Sequence, residues 1–77
     1  MVKGFVLVQT EREIASTKEV VTALRQLRGI KSADAVTGPY DIILQVEGQS
    51  PEEIGSLVED KIRFVPGVYR TVTCLVI

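Results

Sequence analysis

The hydrophobic pattern of this chain is written twice at an offset of 38 residues. Val6 aligns with Leu44, Val8 with Val46, Val20 with Val58, Leu24 with Ile62, Gly29 with Gly67 and Ile30 with Val68. Each half passes from a β-branched strand-like stretch through an apolar stripe at helical spacing and back to a strand-like stretch, so the chain is confined to two successive βαβ units. A length of 77 residues holds two such units and leaves no room for another domain, so residues 1–77 read as one domain.

The local signals place six elements. Val2 to Gln9 reads as a first strand, with Val2, Val6 and Val8 on one face and Phe5 and Leu7 on the other. Ser16 followed three residues later by Glu19 has capping-box spacing; Val20, Val21, Leu24 and Leu27 recur at helical spacing, and Arg28-Gly29 supplies the stop. Ile30 to Thr37 and Ile42 to Val46 read as two strands joined by the turn Gly38-Pro39-Tyr40-Asp41. Ser50-Pro51-Glu52-Glu53 starts a second helix, whose apolar stripe Ile54, Leu57, Val58, Ile62, Val65 runs up to Pro66-Gly67. Val68 to Ile77 is the last strand. The order βαββαβ predicts an α+β, ferredoxin-like sandwich: a four-stranded antiparallel sheet with both helices on one face.

Both faces of that sheet carry apolar residues. Phe5, Leu7 and Ile43 oppose Val6, Val8 and Leu44, and in the last strand Val72, Cys74 and Val76 oppose Thr71, Thr73, Leu75 and Ile77. Two helices cover one face only, so the pattern predicts a homodimer joined sheet to sheet by two-fold symmetry. Cys74 itself, with no histidine anywhere in the chain to activate it, reads as a small core residue rather than a nucleophile.

Composition narrows the function. The absence of histidine and tryptophan, together with a single cysteine, removes the commonest general base, the commonest metal ligand and any internal disulfide, which points away from an enzyme. Nine Lys+Arg against ten Asp+Glu give no basic field for nucleic acid. The apolar runs fall far short of the ~20 residues that span a bilayer, and Met1-Val2-Lys3 leads straight into a strand with no signal peptide. A cytoplasmic location is the expectation. Asp34, Asp41, Glu47 and Asp60 show no loop spacing for a hard cation, so neither a metal nor a cofactor is expected. Glu11-Arg12-Glu13 reads as a solvated loop.

Two places offer binding chemistry. In Gly38-Pro39-Tyr40-Asp41 the turn exposes backbone amides for a carboxylate, Tyr40 supplies an amphipathic wall, and Asp41 supplies an acceptor for an ammonium group, which together describe a free amino acid. The same residues also fit a plain turn in which Asp41 bonds its own backbone. Thr71 and Thr73 project from one sheet face and offer hydroxyls, although threonine is also simply a good strand residue.

The run Ala35-Val36-Thr37-Gly38-Pro39-Tyr40-Asp41-Ile42-Ile43-Leu44-Gln45-Val46, followed by a helix and Val65-Pro66-Gly67-Val68-Tyr69-Arg70-Thr71-Val72-Thr73, resembles the effector-sensing domain of the leucine-responsive regulator (Lrp/AsnC) family. In that family a helix-turn-helix domain precedes the sensing domain. Here Met1 begins at the sensing domain's first strand, so the chain resembles a stand-alone sensor without that DNA-binding part. The resemblance implies an amino-acid-binding module whose dimers assemble into rings of octamer or decamer type, with ligand held between dimers. It implies effector contacts from Gly38, Tyr40 and Asp41 and from Thr71 and Thr73. It also implies co-assembly with full-length regulators as a route to transcription.

Rival readings fare worse on the residues. An RNA-binding sheet needs stacking aromatics on its central strands, a metal carrier needs a CxxC pair, and an acylphosphatase-like enzyme needs an anion-cradling loop where this chain has Gln9-Thr10-Glu11-Arg12-Glu13. An ACT-like regulatory module shares topology and ligand class but carries a glycine after its first strand that is missing here. A small enzyme of the dimeric αβ-barrel kind, acting through Tyr40, Asp41 or Tyr69, is the remaining alternative.

Overall fold

A computed structural model describes all 77 residues. The elements are β1 (Val2–Thr10), α1 (Thr17–Arg25), β2 (Ile30–Ala35), β3 (Ile42–Gly48), α2 (Pro51–Asp60), a 3₁₀ turn (Ile62–Phe64) and β4 (Val68–Leu75). The strands form one antiparallel sheet in the order β2-β3-β1-β4. This is the ferredoxin-like βαββαβ arrangement that the repeated pattern predicts.

The helix starts follow from their caps. At α1, Ser16 Oγ accepts the Glu19 N–H at 3.2 Å and Glu19 Oε1 accepts the Ser16 N–H at 3.0 Å, a complete capping box. At α2, Ser50 Oγ accepts the Glu53 N–H at 3.1 Å, but Glu53 Oε1 reaches one residue further back, to the Gln49 N–H at 3.2 Å.

The ends differ from the sequence expectation. Helix α1 closes at Arg25, and Leu27 N–H bonds Leu24 O at 3.1 Å, so the chain tightens before Gly29 instead of staying helical to Arg28. Helix α2 closes at Asp60 rather than continuing to Val65, because Lys61 leaves the helical region (φ −124°, ψ −60°) and a 3₁₀ turn follows. Ile62 is nevertheless fully buried and Val65 packs on the core. Strand β2 stops at Ala35 and β4 at Leu75, each two residues short of expectation.

Register decides which residues meet. Val6 lies opposite Leu44 on one side and Thr73 on the other, and Val8 lies opposite Ile42 and Thr71. The face holding Val6, Val8, Ala33, Ile42, Leu44 and Val46 packs against Val20, Val21 and Leu24 of α1, Ile54 and Val58 of α2, and Ile62; these twelve residues are the core. No polar or charged residue is buried there. Gly67 (φ 97°) turns the chain into β4 directly beneath α1, where an added Cβ would lie 2.6 Å from Val20 Cγ2 and 3.0 Å from Ala15 Cβ.

The other face has no layer over it. Phe5 is 40% exposed, and Leu7, Ile43 and Val72 are half-buried on the same side. Cys74, paired with Phe5, is exposed on this open face and is not the core residue that its apolar neighbours suggest. Alternation assigns a residue to a face but cannot say whether that face is covered. No helix is long and apolar enough to cross a membrane.

Two stability experiments follow. Gly67→Ala combines a disfavoured φ with a clash and is expected to destabilise by more than about 1 kcal/mol in urea unfolding. Ser16→Ala should cost about 1 kcal/mol. The Ser16 contacts, the backbone bond foremost, hold the Glu19 carboxyl below its ordinary value. Its contribution is therefore present above the ordinary carboxylate range and is lost as pH falls through the lowered folded-state value. The melting-temperature gap between the parent and Glu19→Gln should accordingly close on acidification.

Candidate functional site

The sheet's pairing ends at the C-terminal tip of β1, and the candidate residues gather around that tip. Between Gln9 and Thr10 the register with β4 slips, so that Thr10 faces Val68 while Gln9 faces Arg70. The Thr10 N–H points to the other side, toward β3, whose pairing with β1 ends at Val8 and Ile42, so the ladder leaves it without a partner. Asp41 captures it: Asp41 Oδ2 accepts the Thr10 N–H at 2.8 Å and the Thr10 hydroxyl at 3.1 Å. The Asp41 N–H donates to Val8 O at 2.8 Å and the Val36 N–H donates to Asp41 O at 2.8 Å, which closes the loop between β2 and β3. Gln9 Nε2 donates to Pro39 O at 3.0 Å.

The Asp41 carboxylate therefore does not bond within its own turn. It clamps the loop to the neighbouring strand with one oxygen and leaves the other, Oδ1, without a hydrogen bond. Facing Oδ1 is an Arg12 guanidinium nitrogen at 3.8 Å, with side-chain exposures of 78% for Arg12 and 27% for Asp41. That separation lies outside hydrogen-bonding range. Tyr40 is half-buried, and Gly38 (φ 139°) is exposed with nothing within 4 Å of where a side chain would begin.

Thr71 and Thr73 stand across β1 from this loop. They pair with Val8 and Val6 and so project from the helix-facing side of β4, Thr71 half-buried and Thr73 exposed. Thr71 borders a hollow of about 230 Å³ with Arg63, Val68, Tyr69 and Arg70. Gly38, Tyr40, Asp41 and Thr73 line no hollow of the single chain, and the largest one, about 420 Å³ between the end of α1 and α2, holds none of the five. One chain brings Gly38, Tyr40 and Asp41 together and Thr71 and Thr73 together, but does not join the two groups in a pocket. No cluster of three or more metal-type ligands forms.

Sequence reasoning missed Thr10 and left Arg12 in a solvated loop. Thr10 and Asp41 are 31 residues apart, and only the β1–β3 register brings them together, so no local motif marks the pair.

The sequence pattern of the Lrp/AsnC ligand binding domain matches residues 3–77. The chain belongs to that family. This Lrp/AsnC domain is 36% identical over 71 residues to an uncharacterized HTH-type transcriptional regulator of Pyrococcus furiosus, a match covering 91% of this chain and 47% of that protein. It therefore spans about half the length of the curated regulators it matches. A homocitrate synthase of Sulfurisphaera tokodaii carries a segment 33% identical over 76 residues, covering 99% of this chain and 16% of the enzyme. Among solved structures, the domain superposes on TTHA0845 of Thermus thermophilus with a TM-score of 0.90 at 30% identity, covering 100% of this chain and 94% of that one. A transcriptional regulator of Neisseria meningitidis, solved as an L-Met complex, shares the fold at 20% identity with a TM-score of 0.86, over 99% of this chain and 49% of that one.

The clamp makes a discriminating prediction. Both Thr10 bonds fall on one Asp41 oxygen, so Asp41→Asn keeps an acceptor for them and should unfold within about 0.5 kcal/mol of the parent. Asp41→Ala strands the Thr10 N–H and should cost about 1–3 kcal/mol. Urea titrations of the two variants side by side check this.

Proposed function

We propose that this Lrp/AsnC domain is an amino-acid sensor whose ligand site is completed only between copies of the chain. The observation that carries the reading is the division of the candidate residues by β1. Gly38, Tyr40 and Asp41 present an ammonium acceptor and a wall, Thr71 and Thr73 present hydroxyls, and a second subunit supplies whichever half the first lacks. The L-Met complex of the Neisseria meningitidis regulator supports the ligand class. The uncovered face bearing Phe5, Leu7, Ile43 and Val72 supports a homodimer formed sheet to sheet, with dimers then assembling into an octamer- or decamer-like ring.

In this reading ligand acts through differential binding alone: it stabilises the assembly that contains the whole site. The output is co-assembly in the cytoplasm with full-length Lrp/AsnC regulators, whose oligomeric state or effector response it changes. The homocitrate synthase segment favours a second output, docking on a metabolic enzyme that carries a similar segment. An enzymatic role through Tyr40, Asp41 or Tyr69 gains no support, because Asp41 is tied to Thr10 and β1 separates it from Tyr69.

The test is a thermal-shift panel of the twenty amino acids, paired with analytical ultracentrifugation. A few chemically related amino acids should raise the melting temperature, since a ligand at a hundred times its dissociation constant adds about 2.7 kcal/mol. The same amino acids should move the sedimentation boundary. Asp41→Asn, folded but with an amide N–H where the ammonium would dock, should lose the response. A flat panel with every amino acid would overturn the reading.

A further inference from the structure

The loop after β1 carries one cation, Arg12, between two acids, and the fold holds its backbone while leaving its side chain free. The Glu11 N–H donates to Gly67 O at 2.7 Å, and Glu11 O accepts from the Ile14 and Ala15 N–H groups at 3.0 and 3.3 Å. These bonds fix where Arg12 leaves the main chain. The guanidinium then extends into solvent and stops 3.8 Å from Asp41 Oδ1. An exposed pair at that separation contributes little stability and costs little to open.

Asp41 cannot turn to meet Arg12, because Oδ2 is held by two Thr10 donors at 2.8 and 3.1 Å. The result is a fixed anion with one open oxygen beside an exposed cation on an anchored loop. An α-amino acid carries the same two charges in the opposite sense. We infer that Arg12 receives the α-carboxylate of the amino acid whose ammonium docks on Asp41 Oδ1. Arg12 would thus be a specificity residue of the site proposed above, and the inference rests on that reading. Binding replaces one loose contact by two charge-assisted ones, and the guanidinium fork suits a carboxylate bidentately. An amine without the carboxylate makes only the Asp41 contact, and a carboxylic acid without the ammonium makes only the Arg12 contact. The site therefore selects free α-amino acids over both.

The experiment is a cycle between protein and ligand. The probes are the twenty free amino acids and, for each that binds, its α-carboxamide, which keeps the ammonium and loses the negative charge. Calorimetric titration compares the parent, Arg12→Gln and Arg12→Lys. Arg12 is exposed, so the variants should melt with the parent, and urea unfolding verifies this. Arg12→Gln should weaken the free amino acid by about tenfold or more, with Arg12→Lys between the two, the loss expected for one charged hydrogen-bonded contact. The same substitution should leave the carboxamide's affinity unchanged. An equal loss for acid and amide, or no loss for either, overturns the assignment of Arg12 and leaves the amino-acid reading standing. If no free amino acid binds the parent, both fall together.

Discussion

Strand β1 lies between β3 and β4, and its double pairing sets the height of every other group in the sheet. Val6 and Val8, wholly buried, hold Leu44 and Ile42 on one side and Thr73 and Thr71 on the other. The register matters more here than in most half-buried sheets, because the opposite face also carries apolar side chains. A slip by one residue would turn Phe5 and Leu7 toward the helices, exchanging one apolar set for another. Hydrophobic pattern alone resists that exchange weakly. Resistance comes from volume, since Phe5 would have to enter a space filled by valines, and from the Thr10–Asp41 clamp, which engages only when Val8 faces Ile42.

How far the sequence foretold this follows from the range of each signal. Ser16 with Glu19, Ser50 with Pro51, and the two alternating strand patterns are local, and each produced the element it announced. The helix ends were misjudged for a geometric reason: Ile62 and Val65 are three residues apart, a spacing that serves a 3₁₀ turn as well as an α-helix. Cys74 was misplaced because its neighbours are apolar and nothing in a strand's own sequence states what lies above it. In the candidate site, turn and strand chemistry mark Gly38, Tyr40, Asp41, Thr71 and Thr73, and the family resemblance adds weight to them. The partner that fixes Asp41, Thr10, was legible only after the register was known. Asp41 does not bond its own turn as a plain turn residue would: one carboxylate oxygen takes both Thr10 donors and the other carries no hydrogen bond.

The distribution of polarity has a physical logic. The core buries no polar or charged residue, so the fold carries no internal ion pair whose desolvation must be offset. The Asp41 chemistry lies at the rim, where β1 runs on past its last β3 partner and the Thr10 N–H needs an acceptor. The end of the β1–β3 ladder at Val8 and the carboxylate that answers it are one feature. A ligand site at such a place uses a group that the backbone already requires: one Asp41 oxygen serves the fold and the other stays open.

The central position of β1 also orders events in time. Its two neighbours lie far along the chain, with Val6 waiting for Leu44 and then for Thr73. Loop closure over such separations slows folding relative to a helical bundle of the same length. While the domain is being synthesised, β1 can join β3 once the first half of the repeat and the following strand have emerged, but its other edge stays unpaired until β4 is made. Through that interval a nascent chain displays a row of free amides and carbonyls beside apolar Phe5 and Leu7, an invitation to the β4 of a neighbouring copy. A chain whose central strand is made first and completed last thus passes, during its birth, through a state in which the wrong strand can answer first.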